Sequence, residues 1–369
     1  MKKIVFALLI VLISVFLSGS FYEKVDSNLE KINKSEIING ISEETLEILE
    51  ELGIDEISIE AVSNLSFEKI FEKIKYYFVS SIKFPFYSIS SVLIVGILCV
   101  ILQNSGGFSN QTKSVYSIVS ALAVSSTMIL PIKNVVVSVS EVIKECSNFM
   151  LSFIPVYSSA LISAGYVSSA VGYRTLLLGA VTIISKISSN VIVPFVCIYL
   201  GLSISDSISS INLGQVSKYI KDFTVWILGL LMAVFSGVLG LGTLIASSVD
   251  KIGSKAFKFV VGSAVPVIGG TISDMLLTLK SCLVLTKDVL GTYSIIVIAV
   301  IFVPLLVKTI AWKVSLSLGG ILGDLLDNKN MSDIFRASSS VMGIMLALIV
   351  TILIMMIFSV AIMLLTVRA

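Results

Sequence analysis

From residue 86 onward the chain is a succession of apolar runs, each about as long as a bilayer is thick. They cover 86–103, 114–132, 149–171, 175–205, 223–249, 259–279, 289–307 and 340–367. A spanning helix needs about 20 apolar residues, so these runs predict an all-α polytopic membrane protein with seven or eight spans. Segments 133–148 and 309–326 are amphipathic and read as connections between spans. Composition agrees: 56% of residues are hydrophobic and 14% are charged, with a mean hydropathy of +1.02. Soluble domains carry roughly 25% charged residues.

The first residues have the layout of an export signal. Lys2 and Lys3 precede an apolar run over 4–17, and Ser18, Gly19 and Ser20 follow as small residues suited to cleavage. The reading is therefore a signal peptide over 1–20, an extracytoplasmic helical segment over 21–84 and a multi-span domain over 85–369. Segment 21–84 holds 14 acidic residues and 7 lysines, whereas 85–369 carries a surplus of seven basic groups. An acidic exported segment argues against a nucleic-acid partner. Ser42, followed by Glu43, Glu44 and Thr45, is a helix start, with Thr45 standing where a capping box places Glu or Gln. Phe67, Ile70, Phe71, Ile74 and Phe78 recur at helical spacing and predict a second helix. A segment of this size without cysteine makes a marginal core by itself.

Loop charges give an orientation. With the acidic segment outside, the lysine at 113, Arg174 and the three lysines of 250–258 are expected in the cytoplasm. The side of the C-terminus depends on whether 259–279 crosses or re-enters.

Enzyme chemistry finds little support. The chain has no histidine, and its four cysteines form no CxxC pair. No HExxH, GxSxG or GxxxxGK[ST] string occurs, so no catalytic, cofactor or metal residues are expected. Gly229, Ala233 and Gly237 recur at spacing four, a stripe that permits close helix packing or an oligomer contact. Prolines inside apolar runs mark broken helices, which must face protein or a water-filled cavity. The string from Val265 through Pro266, Gly269, Gly270 and Ser273 to Asp274 is the leading candidate for a conduit lining, with a half-helix starting near Gly270. The pair Pro155 and Tyr157 is a weaker echo. Lys186, Asp274, Lys287 and Asp288 are ionisable groups in or beside apolar runs, the usual mark of a bundle interior or an ion path.

These residues resemble the stage III sporulation protein AE family nearly end to end. The resemblance rests on Phe153-Ile-Pro-Val-Tyr157, on Asp250 with Lys255 and Lys258, and on Ile268-Gly-Gly270 followed by Ser273-Asp274. Lys287 with Gly291 and Pro304-Leu-Leu-Val-Lys308 add to it. It implies a membrane subunit of the channel, or feeding-tube, complex that links mother cell and forespore. The implied place is the mother-cell membrane around the forespore. The implied partners are ring-forming sporulation subunits, a cytoplasmic secretion-type ATPase and membrane lipid. The residues alone also admit a transporter-like permease using buried charges on broken helices.

Overall fold

The structure is a computed structural model that describes residues 34–54, 57–58, 67–104, 110–163, 166–208, 213–264 and 269–365. Over 241–264 and 269–287 it describes the helical backbone alone. The expected signal peptide over 1–20 lies outside the described residues.

Every regular element among the described residues is helical. Two short helices come first, α1 (Lys34–Ile38) and α2 (Glu43–Glu51). Long ones follow: α3 (Phe67–Asn104), α4 (Asn110–Ser163), α5 (Val167–Ile187), α6 (Val193–Ile208), α7 (Gly214–Ala264), α8 (Gly269–Leu325) and α9 (Lys329–Leu365). A π-helical turn, Ser188–Ile192, joins α5 to α6 without a break. Its cause is local. Pro194 has no N–H to give the carbonyl four residues back, and the ladder slips so that Val193 N–H bonds Ser188 O.

Six segments of the described chain are long and apolar enough to cross a membrane: Glu72–Leu98, Ala121–Ser163, Val167–Ile208, Gly214–Gly240, Asp288–Leu325 and Lys329–Leu364. The sequence expectation of seven or eight spans divides what the structure joins. Segments 114–132 and 149–171 are expected as separate crossings, but α4 runs unbroken through the first and through most of the second. The amphipathic stretch between them is itself helix. Lys133, Asn134, Val137, Glu141, Lys144 and Asn148 face outward, while Val135, Val136, Val139, Ile143 and Cys146 are buried. Residues 309–326 likewise continue α8. At 1.5 Å per residue, α4 is roughly 80 Å long against a hydrocarbon core of about 30 Å. The bundle is therefore taller than a bilayer is thick.

The α8–α9 hairpin forms the centre. In the most apolar window of each helix 67% is buried in protein, against 22% for α3 and 28% for α7. Its register is fixed by close approaches. A Cβ on Gly291 would meet Leu364, one on Gly319 would meet Phe335, and one on Gly323 would meet the backbone N and Cα of Ser332 at 3.0 Å. Ser317 and Ser339 share a hydrogen bond of 2.8 Å. The turn is set by residue chemistry. Asp327 takes the left-handed conformation (φ 54°), with Asp327 N–H bonded to Asp324 O and Asn328 N–H to Gly323 O. These bonds satisfy the last carbonyls of α8. Asn328 then caps α9, its Oδ1 accepting from Met331 N–H at 3.2 Å. Asp324 and Arg336 close the tip as an ion pair.

Candidate functional site

The N-terminal segment is built into the bundle at one point on α4. Ser42 caps α2, and its Oγ accepts from Thr45 N–H at 3.3 Å. In a capping box, a Glu three residues on would then accept from the Ser42 N–H. Here Thr45 holds that position, and the carboxylate comes from Glu145, one hundred residues away. Glu145 Oε1 accepts from Ser42 N–H at 3.2 Å, from Ser42 Oγ at 2.5 Å and from Thr45 Oγ1 at 2.7 Å. A carboxylate at a helix N-terminus also meets the positive end of the helix dipole.

Packing reinforces the clamp. Gly40 sits where a Cβ would meet Phe149 Cα at 3.0 Å and Asn148 O at 3.2 Å, so its lack of a side chain lets the chain lie on α4. Ile37, Leu49 and Ile57 are buried in the same core as Phe149 and Phe153. Glu51 pairs with Lys73 of α3, and Lys73 also lies over the rings of Tyr76 and Tyr77 at 5.6 and 5.5 Å. Glu36, Glu43, Glu44 and Glu50 remain exposed, so the docked segment presents an acidic outer surface.

Below the clamp, the interior of α4 is an aromatic ladder. Phe149 and Phe153 are 5.7 Å apart between ring centroids, and Phe153 and Tyr157 are 5.4 Å apart. All three are fully buried. Spacing of four residues stacks them on the inward face, which turns Pro155 partly outward. Buried hydroxyls elsewhere donate to the carbonyl four residues back, as Ser125, Ser158, Thr309 and Ser359 do. The Tyr157 hydroxyl is buried with no hydrogen-bond partner. Ser188 and Ser189 at the π-turn are also buried at Oγ without a partner.

The remaining sequence candidates are scattered. Lys186 is exposed near the end of α5. Gly229, Ala233 and Gly237 are exposed along α7, and a Cβ on Gly229 or Gly237 would touch nothing within 4 Å. The stripe thus faces away from the rest of this chain. Pro266 lies outside the described residues. Gly269 opens α8, one residue before the expected start, with Gly270, Ser273, Asp274 and Lys287 further along it. The side chains of Ser273, Asp274 and Lys287 lie outside the described residues. No group of three potential metal ligands gathers among the described residues.

Sequence reading passed over a polar cleft at the α6–α7 turn. It holds about 500 Å³ and is lined by Asp206, Lys218, Lys221 and Asp222 together with Asp333 of α9. Asp206 accepts from Leu213 N–H at 2.7 Å, and Ser203 bonds Ser217 at 2.5 Å. Its signal was present as the charged stretch 206–222 between two apolar runs. What the sequence does not reveal is that α9 brings Asp333 to the same place.

Comparison with known proteins gives one consistent result. The family model described as stage III sporulation protein AE matches residues 54–366. The stage III sporulation protein AE of Bacillus subtilis (strain 168) is 25% identical over 217 residues, covering 57% of this chain and 53% of that protein. The match thus spans about half the length of that curated relative. No solved structure matches. Since the family match runs from the docked N-terminal segment to the end of α9, the chain belongs to the stage III sporulation protein AE family.

Proposed function

We propose that this chain is a membrane subunit of a sporulation complex, acting as a scaffold or as part of a conduit between mother cell and forespore. Family membership supports the sporulation role. Six apolar helices support the membrane setting. The Glu145 clamp carries the scaffold reading. It makes an acidic segment, expected outside the cytoplasm, part of the membrane body, where other subunits can reach it. The centre of the described bundle is filled by Phe149, Phe153, Tyr157, Phe302, Trp312 and Phe335, all with under 2% exposure. Such packing suits a rigid support. A conduit would then run between copies or partners, or past the 266–274 segment. The expected partners are ring-forming sporulation subunits and a cytoplasmic ATPase, in the mother-cell membrane around the forespore. The permease reading keeps its place through Asp274 alone.

The test is co-purification of an affinity-tagged chain from sporulating cells, beside a strain lacking it. The expected result is recovery of ring-forming subunits with the tagged chain, and arrest of spore formation without it. A chain that purifies alone from cells that sporulate normally in its absence overturns the proposal.

A further inference from the structure

A crevice opens between α3, α4 and α8. It has a volume of about 250 Å³ and is lined by Ser81, Phe84 and Pro85 of α3, Pro131 and Asn134 of α4, and Lys308 and Trp312 of α8. Lys308 is half-buried there. The ion pairs among the described residues, Lys73–Glu51 and Arg336–Asp324, do not involve it. Lys83 of α3 and Lys133 of α4 are exposed and do not line it. No acidic residue occurs in the chain between Glu72 and Glu141, or in α8 between Asp288 and Asp324. The stretches of α3, α4 and α8 that line the crevice therefore bring no carboxylate to Lys308.

On α3 and α4 the same place marks the end of a charge-free stretch. Along α4, Lys133 and the lysine at 113 bracket a stretch without charge, and along α3 no charge follows Lys83. Both stretches are about 20 residues, roughly 30 Å of helix, which is the thickness of a hydrocarbon core. Because Pro85 and Pro131 line one crevice, the two stretches start at the same level and run side by side. Their outward side chains, including Phe86, Ile94 and Leu98 of α3 and Val119, Leu122 and Leu130 of α4, are exposed and apolar. Trp312 and Phe84 meet edge to face at the boundary, with centroids 6.1 Å apart. Aromatic and basic residues gather at such interfaces.

We infer that this crevice holds the phosphate of an anionic phospholipid, with Lys308 as its anchor and the acyl chains lying on α3 and α4. Charge complementarity selects an anionic lipid over a zwitterionic one. A lysine at the surface of an anionic membrane contributes about a fivefold gain in binding.

Trp312 provides the readout. It is 1% exposed, so bulk lipid does not touch it, whereas a lipid seated in the crevice does. The chain has one other tryptophan, Trp226, and a Trp226→Phe background isolates the signal. The full-length protein is placed in phosphatidylcholine vesicles containing an equal fraction of brominated phosphatidylglycerol or brominated phosphatidylcholine. The expected result is preferential quenching by the brominated phosphatidylglycerol, by about fivefold in apparent affinity. That preference should vanish in Lys308→Gln and survive in Lys308→Arg, which checks that the crevice still folds. Equal quenching by the two lipids, or an unchanged preference in Lys308→Gln, overturns the inference. Loss of the preference on adding inorganic phosphate overturns the lipid assignment and makes the ligand a soluble anion.

Discussion

Glu145 completes the cap that Ser42 begins, accepting its backbone N–H at 3.2 Å across 103 residues. The two residues join the segment that precedes the first span to the helix that makes the second. Because Glu145 has several donors at once, its loss leaves a group of polar atoms without a partner, at a cost of about 1–3 kcal/mol.

Glu145→Ala should therefore release α1 and α2 while leaving the bundle folded. Hydrogen exchange at the amides of 42–52 should speed up, with α8 and α9 unchanged. Ser42→Ala should cost less in the Glu145→Ala background than alone, because the contact between the Ser42 hydroxyl and Glu145 is then already gone. Unaltered exchange in Glu145→Ala would show that apolar packing through Ile37 and Leu49 holds the segment unaided.

How far the sequence reached is clearest at this contact. Ser42 as a helix start was legible because capping is local. Glu145 was not, since nothing in a linear chain pairs it with Thr45. The helical membrane class was legible from the apolar runs. The length of α4 was not, because a span is expected to be about 20 residues, and the charges at 133–148 read as an exit from the bilayer. The helical period of Val135, Val139, Ile143 and Cys146 was nonetheless in view. The small-residue stripe of α7 was legible as spacing, but spacing does not say what the stripe faces.

A single crossing by an unbroken α4 would give a topology other than the one expected from loop charge. Orientation by loop charge placed the lysine at 113 and Arg174 together in the cytoplasm. A single crossing by α4 puts them on opposite sides. In a background without native cysteines, cysteines at these two positions should react with an impermeant thiol reagent from opposite faces of the membrane. With six single crossings, Ser254→Cys should label with Arg174→Cys, against the inside assignment from its neighbouring lysines. Labelling of 113 and 174 from the same face would mean that α4 does not cross once.

Two glycines should respond to substitution in opposite ways. Gly323→Ala drives a Cβ against the Ser332 backbone, which cannot move without opening the α8–α9 tip. We expect a loss of about 1–3 kcal/mol, as for other overpacked sites, read as a lower melting temperature in detergent. Gly237→Leu meets nothing within this chain. It should leave the melting temperature unchanged and instead weaken assembly on native gels. A Gly237→Leu protein that assembles normally would show that the stripe faces lipid.

The last expectation concerns the segment between α7 and α8. We expect Pro266 to Asp274 to line a polar interior and not to face lipid. Pro266 cannot donate a backbone hydrogen bond, Gly269 and Gly270 weaken the first turn of α8, and Asp274 follows in the next turn. In hydrocarbon a central Asp alone costs about 2.5–3.5 kcal/mol, and unpaired backbone groups add to it. Against water or protein the same groups are satisfied. Cysteines placed singly from Val267 to Leu276 should react with a small water-soluble thiol reagent at helical spacing. Asp274→Leu should impair sporulation while the protein still accumulates. If no position reacts and Asp274→Leu cells sporulate normally, the segment is an ordinary packed connection. The conduit then has no support from this part of the chain, and the scaffold reading stands on the Glu145 clamp alone.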